Sequence, residues 1–273
     1  MKLISKFAAI GSVLLMASAP ASAIVTSWDY SVTSLFTAAT YDGSGGTLAT
    51  LPSTSLTWGI PHVSGNGQQS SLVIGNSPAV GVVDTYLGLS PPATAPYLGF
   101  STSLTHNNNV INSGSSSLLS AILTNTVALD PLIPDNPSMP GMVIPFSIAF
   151  TETPNATPCD ANSPPGNPCN DIFVLTGGLL NQTFDYDDGS GLSTYFVNIF
   201  PTTGGVLSIL QDSACEAAGQ AAGCLGFTTI EGQNTTLAFG FTISTQELQI
   251  PEPGVLALLG LGLIGVFSLR RRQ

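Results

Sequence analysis

Lysine and arginine are almost absent from this sequence. The chain has five basic residues, Lys2, Lys6, Arg270, Arg271 and Arg272, so residues 24–269 contain none, while all 16 acidic residues lie in that stretch. Nucleic acid is excluded as a partner, because phosphate binding needs lysine or arginine. Ion pairs within the body would have to use a histidine, so stability must come from apolar burial, backbone pairing and crosslinks. The acidic surface would favour Ca²⁺ or other cations, or it serves solubility alone.

The amino-terminal residues have the pattern of a secretory signal peptide. Lys2 and Lys6 precede an apolar stretch at residues 7–16, and Ala21-Ser22-Ala23 is a small-residue cleavage site. This order of basic, apolar and small residues is typical of Sec export and signal-peptidase cleavage. We expect residues 1–23 to be removed and the mature chain to begin at Ile24.

The carboxy-terminal residues 250–273 combine three signals. Pro251, Glu252 and Pro253 form a short motif, residues 255–269 are apolar and uncharged, and Arg270, Arg271 and Arg272 follow. The apolar run predicts a short transmembrane helix, and the arginines act as a membrane stop on the cytoplasmic side. The prolines keep the motif extended, as a processing enzyme requires. The alternative is a buried carboxy-terminal helix of a soluble domain.

These residues in this order resemble the PEP-CTERM sorting signal of Gram-negative bacteria. The resemblance implies that an exosortase, a membrane-embedded transpeptidase, recognises Pro251-Glu252-Pro253 and releases or re-anchors the protein. The chain would then be anchored in the inner membrane only transiently, before it reaches the cell surface or the extracellular space.

Residues 24–249 predict one all-β domain. No long stretch has a helical apolar period, and short strand-forming runs alternate with turn residues. Turns at 187–191 and 232–234 predict hairpins, and the proline-rich segment 131–140 predicts a loop that crosses between sheets. A dozen short strands indicate a two-sheet, jelly-roll-like β-sandwich. The predicted strands are 27–37, 55–60, 71–74, 97–105, 117–129, 142–151, 172–176, 182–186, 194–200, 206–210, 225–231 and 235–245.

The four cysteines predict two disulfide bonds. Export places Cys159, Cys169, Cys215 and Cys224 in an oxidising compartment, where four cysteines allow three connectivities. We expect Cys159–Cys169 and Cys215–Cys224, because each pair is close in sequence and lies in a loop rich in turn residues. Zinc sites usually place cysteines two to four residues apart, a spacing that is absent here.

A histidine followed by three asparagines is the most unusual internal stretch. Thr105 ends a predicted strand, and His106, Asn107 and Asn108 follow it, where asparagine amides and a histidine ring nitrogen can satisfy a turn. A ligand site is the alternative. No Gly-x-Ser-x-Gly pattern accompanies His106, so no catalytic residue is identified.

A second acidic stretch offers candidate calcium ligands. Asp185, Asp187 and Asp188 begin like a calcium loop, but the twelfth position from Asp185 is Phe196 instead of glutamate, which excludes an EF-hand. A solvated hairpin turn explains the same residues.

Four short motifs resemble the THxN family of PEP-CTERM proteins. They are Thr57-Trp58-Gly59-Ile60-Pro61, Gln69-Ser70-Ser71-Leu72, Thr105-His106-Asn107-Asn108 and Phe150-Thr151-Glu152-Thr153-Pro154-Asn155, in this order. The resemblance implies an exported envelope or matrix protein and supplies no catalytic residues.

Three functions follow from these observations. The first is a non-enzymatic surface or extracellular-matrix protein. The second is a module that binds exopolysaccharide, with or without Ca²⁺, in which Trp28, Trp58 and Tyr97 provide stacking faces. The third is a secreted hydrolase that uses His106 with an acidic residue.

Overall fold

The computed structural model describes the exported body of the chain. The described residues are 24–135, 139, 141–153, 158–161, 163, 169–177, 180–187, 191–202 and 208–249. The predicted signal peptide, the motif Pro251-Glu252-Pro253, the apolar run and Arg270 to Arg272 lie outside them. Within the described ranges, no helix has the length and apolar character needed to cross a membrane.

The body consists of two antiparallel sheets, whose strands are numbered here in chain order. Across sheet A the order is β11 (Ser208–Ile209), β12 (Leu225–Thr229), β8 (Asp171–Gly177), β7 (Met142–Thr151), β6 (Ser117–Ile133), β1 (Ser27–Asp42) and β4 (Ala79–Asp84). Across sheet B it is β2 (Ser55–Trp58), β3 (Ser70–Gly75), β5 (Gly99–Asn107), β13 (Asn234–Ser244), β10 (Leu192–Pro201) and β9 (Gln182–Asp187).

One hydrophobic core lies between the two sheets. Apolar residues alternate along most of the strands, so that one face of these strands is buried. Sheet A contributes Trp28 and Phe36, for example, and sheet B contributes Leu104 and Phe241, all of them fully buried. The predicted all-β class with two sheets is therefore confirmed. The finer, jelly-roll-like connectivity stays a prediction.

A smaller apolar cluster lies on the other face of sheet A. Ile172 and Val174 of β8 point away from the main core and pack with Ala149, Ala161 and Ala214. Ala214 belongs to a short helix, α1 (Asp212–Ala217), which is the single helix in the described residues. β8 is thus buried on both faces.

Both predicted disulfide pairings are present. Cys159 pairs with Cys169 and Cys215 with Cys224, at sequence separations of 10 and 9. The second bond joins α1 to the residue before β12, next to the smaller cluster.

Some connections differ from the prediction. β9 and β10 form the expected hairpin, but the turn before β13 does not make one. β12 pairs with β8 in sheet A, whereas β13 pairs with β5 and β10 in sheet B, so residues 230–233 carry the chain from one sheet to the other. Conversely, segment 131–140 does not cross between sheets, because β6 and β7 are antiparallel neighbours in sheet A.

Candidate functional site

The four sequence motifs converge at one end of the two sheets. β2, β3 and β5 are adjacent, which places Trp58 opposite Ser70 and Leu72 opposite His106. The fourth motif runs from the end of β7, in the facing sheet, and residues 150–153 of it are described. Segments separated by up to about a hundred residues in sequence therefore form one structure, which we call the motif end.

His106 lies inside the core of the motif end. Its ring stacks on Trp58, with centroids 5.6 Å apart and planes at 17°, and meets the edge of Phe150 at 5.0 Å. The side chain is fully buried, and among the described residues neither ring nitrogen has a hydrogen-bond partner. Burial lowers the pKa of His106 to about 3, because the charged ring would lose its hydration. His106 is therefore a neutral aromatic core residue.

This position corrects two interpretations of His106. It lies within β5 and not in a turn, and its nitrogens fix no loop. It also forms no hydrogen bond with an acidic residue among the described residues, so the predicted pairing of His106 with a carboxylate is wrong there. The physical reason is that every second side chain of a strand lies on the same face, so Leu104, His106 and Asn108 are all directed into the core.

The asparagines after His106 tie β5 to neighbouring segments. The amide nitrogen Nδ2 of Asn107 donates to Ser71 Oγ at 2.9 Å, that of Asn108 to the Thr229 carbonyl at 3.1 Å, and that of Asn109 to the Gln69 carbonyl at 2.8 Å. The Asn108 bond joins sheet B to sheet A. Thr105 faces outward, and its hydroxyl bonds that of Thr236 at 2.9 Å. The amides therefore have the structural role that the sequence indicates.

A layer of acidic side chains covers the aromatic residues of the motif end. We call Glu152, Asp171 and Glu231 the acidic layer. Glu152 lies two residues after the inward-facing Phe150, and Asp171 lies two residues before the inward-facing Phe173. Glu231 lies two residues after the inward-facing Thr229. The alternation of the strands thus continues into this layer.

Neutral donors hold the acidic layer. Trp58 Nε1 donates to Glu152 Oε2 at 2.9 Å, and the Thr153 backbone N–H donates to Asp171 Oδ1 at 2.9 Å. Burial is the main cause that raises the pKa of Glu152 to about 7. The Trp58 hydrogen bond opposes this shift, and the charge of Glu231 adds to it. Burial and the charge of Glu152 raise the pKa of Asp171 well above its ordinary value.

Protonation is the principal chemistry open to this layer. Lysine and arginine are absent from the body, and the neighbouring His106 is neutral, so neither kind of side chain neutralises the carboxylates there. The part of the chain that the structure describes contains no group of three or more His, Cys, Asp or Glu residues arranged to hold a metal ion. This layer was not predicted from the sequence, although Glu152 belongs to one of the four motifs. The only sequence signal for this layer was that residues 171 and 231 continue the alternation that directs their strands' side chains into the core.

An open cleft lies on the outer side of the motif end. Its volume is about 720 Å³, and Thr57, Gly59, Gln69 and Ser71 are among the residues that line it. Some lining groups are already bonded within the protein, since Gln69 Nε2 donates to the Gly59 carbonyl at 2.7 Å. No charged side chain lines the cleft, so it suits a neutral ligand.

The remaining candidates are separate from the motif end. Asp185 accepts a 2.6 Å hydrogen bond from the Thr194 hydroxyl across the β9–β10 hairpin, Asp187 ends β9, and Asp188 lies outside the described residues. Trp28 and Trp58 are fully buried, so the prediction that they present stacking faces to a glycan is wrong. Tyr97 is partly exposed.

The comparison with known families identifies the carboxy-terminal segment. Residues 249–272 match the PEP-CTERM protein-sorting motif, whereas no curated protein matches the chain. The match includes Pro251-Glu252-Pro253 and all but the last residue after them. The chain therefore carries the signal that targets a protein to an exosortase, for export and delivery to the cell surface.

Proposed function

We propose that this protein is a non-enzymatic component of the cell envelope or extracellular matrix of a Gram-negative bacterium. It is exported by the Sec machinery, held briefly in the inner membrane by residues 255–269, and processed by an exosortase at Pro251-Glu252-Pro253. The match of residues 249–272 to the sorting motif carries this proposal.

The composition of the body supports a role outside the cytoplasm. Two disulfides crosslink it, and such bonds persist in oxidising compartments. Its acidic side chains are not balanced by any lysine or arginine, which favours solubility over binding to nucleic acid.

The character of the motif end supports a structural role over a catalytic one. Trp58, His106 and Phe150 pack as core aromatics, and the amides after His106 serve as ties between strands. We assign the chain to the THxN group of sorting-signal proteins on the four motifs, whose convergence gives that order of motifs a physical basis.

Deletion of Pro251, Glu252 and Pro253 tests the sorting role. In a Gram-negative host with an exosortase, the deleted chain should stay in the inner membrane with its tail attached, whereas the unaltered chain should reach the surface. Fractionation shows the location, and intact mass shows whether each terminal segment has been removed.

The matched control replaces Thr245, Gln246 and Glu247 with alanine, which alters the same number of residues upstream of the motif and leaves the backbone in place. That chain should still be cleaved if it folds. Unchanged size and location after deletion of the motif would refute exosortase processing.

A further inference from the structure

Exposed apolar side chains surround the point where the chain leaves the body toward its sorting signal. The backbone N–H of Gln249, the last described residue, donates to the Leu89 carbonyl at 2.6 Å. Leu87, Leu89, Tyr97 and Phe100, which we call the exit patch, are 59, 45, 41 and 70% exposed.

Contacts along β13 hold the exit patch beside this point. The Tyr86 N–H donates to the Ile243 carbonyl at 2.8 Å, which places Leu87 next to the end of β13. The Thr242 hydroxyl donates to the Tyr97 carbonyl at 2.6 Å, and Phe100 lies opposite Gly240. Because the rings of Tyr86 and Tyr97 are also in contact, with centroids 5.5 Å apart, the segments carrying these residues are neighbours.

The connection from the body to the apolar run is short. Residues 250–254 separate Gln249 from Val255. Even fully extended, six Cα–Cα steps span at most about 22 Å. A compact body of residues 24–249 has a diameter of roughly 45 Å. A tether of about half the body's diameter leaves little freedom of orientation, so the end that carries Gln249 must face the membrane.

We propose that the exit patch lies in the headgroup region of the bilayer while residues 255–269 anchor the chain. This inference rests on the transient anchoring in the proposed function. Apolar side chains gain by leaving water, and tyrosine is enriched at membrane interfaces. Residues 85–100 contain no charged residue, in a body that is otherwise acidic, so the patch itself adds no repulsion from anionic lipid, and the exposed Glu247 is the one acidic residue between β13 and Gln249.

Depth-dependent quenching in vesicles tests this placement. The uncleaved full-length protein would be inserted into phosphatidylcholine vesicles, with a single added cysteine labelled by an environment-sensitive fluorophore at Leu87→Cys or Phe100→Cys. The native cysteines are disulfide-bonded and do not react. A spin-labelled lipid with its nitroxide near the headgroup should quench both labels.

Val63→Cys provides the matched control. Val63 is also an exposed apolar residue, at 97%, and its neighbour His62 donates from its backbone N–H to the Val110 carbonyl. Val110 lies beyond the far end of β5, about 25 Å along the strand from Phe100. The label at Val63→Cys should be quenched several-fold less than the labels at the other two positions.

Two outcomes overturn the inference and can be told apart. If the chain fails to float with the vesicles, membrane anchoring itself is refuted, and the placement of the patch falls with it. If the chain floats but all three labels report water equally, anchoring stands and the lipid contact of the exit patch is refuted. Intact disulfides and an unchanged near-ultraviolet circular dichroism spectrum would show that each variant is folded.

Discussion

Glu152→Gln should stabilise the protein at alkaline pH and leave it unchanged at acidic pH. In the folded protein the carboxyl is half-buried, accepts the Trp58 indole N–H at 2.9 Å, and lies near the charges of Asp171 and Glu231. Glutamine has nearly the same shape and can still accept that hydrogen bond. It carries no charge, so only the cost of ionisation is removed.

The size of the effect follows from the raised pKa of Glu152. A pKa that rises from 4.5 to about 7 on folding means that the folded chain binds more protons than the unfolded chain between these values. Stability from this group is therefore fully present below pH 4.5 and is lost as pH rises through about 7. The loss is about 3 kcal/mol. The variant should avoid it, which corresponds to a rise in Tm of roughly 6–12 °C at pH 8.

Thermal unfolding of the oxidised full-length protein at pH 4 and pH 8 measures this difference. Glu216→Gln on α1 is the control, because this glutamate is exposed and its replacement should change stability little at either pH. If Glu152→Gln were no more stable than the unaltered protein at pH 8, the buried acidic layer would not impose the cost argued here. An equal gain at both pH values would also refute the argument, because it would not come from ionisation.

Four further variants test the core and the crosslinks. His106→Phe should retain the stacking and remove two unsatisfied nitrogens. Its free energy of unfolding, measured with denaturant, should equal that of the unaltered protein or be up to about 1–2 kcal/mol higher. Folding lowers the pKa of His106 from 6.5 to about 3, so the unaltered protein loses stability as pH falls through that range. His106→Phe should abolish this loss. His106→Ala should cost about 3 kcal/mol through the cavity it leaves, and an equal loss in the phenylalanine variant would refute the interpretation of His106 as an aromatic core residue. Replacing Cys215 and Cys224 together with serine should cost about 3 kcal/mol by loop entropy. Replacing Cys159 and Cys169 with serine should lower the free energy of unfolding by nearly the same amount, since the two loops are similar in length. If neither replacement lowered the stability, the entropic argument would be refuted.

The sequence predicts the strands well because their signal is local. Short strand-forming runs bounded by turn residues mark each of the twelve predicted strands, and each has a counterpart in the structure. β4 was missed because it is short and contains Gly81. The glycine is needed there, since a Cβ at that position would lie 2.9 Å from the hydroxyl of Tyr30.

The partner of a strand is not a local property, and there the prediction failed. The turn before β13 resembles a hairpin turn, yet the chain changes sheets at that turn, because β12 pairs with β8 and β13 fills the space between β5 and β10. The acidic layer was missed for the same reason. Residues 152, 171 and 231 come together only when β7, β8 and β12 pair side by side in sheet A, and no spacing in the chain reports that pairing.

The acidic layer and the asparagines together fix how the two sheets are aligned. Apolar contacts have no direction, so a core of alternating side chains alone would tolerate small displacements of one sheet over the other. Hydrogen bonds between the sheets do not. The Trp58 indole bonds Glu152 across the core, and the Asn108 amide bonds the Thr229 carbonyl. In a body without lysine or arginine, a carboxyl can serve as such an acceptor only beside neutral donors, and therefore at the expense of a raised pKa. The proton sensitivity of this end of the fold thus follows from the same scarcity of basic residues that marks the whole exported body.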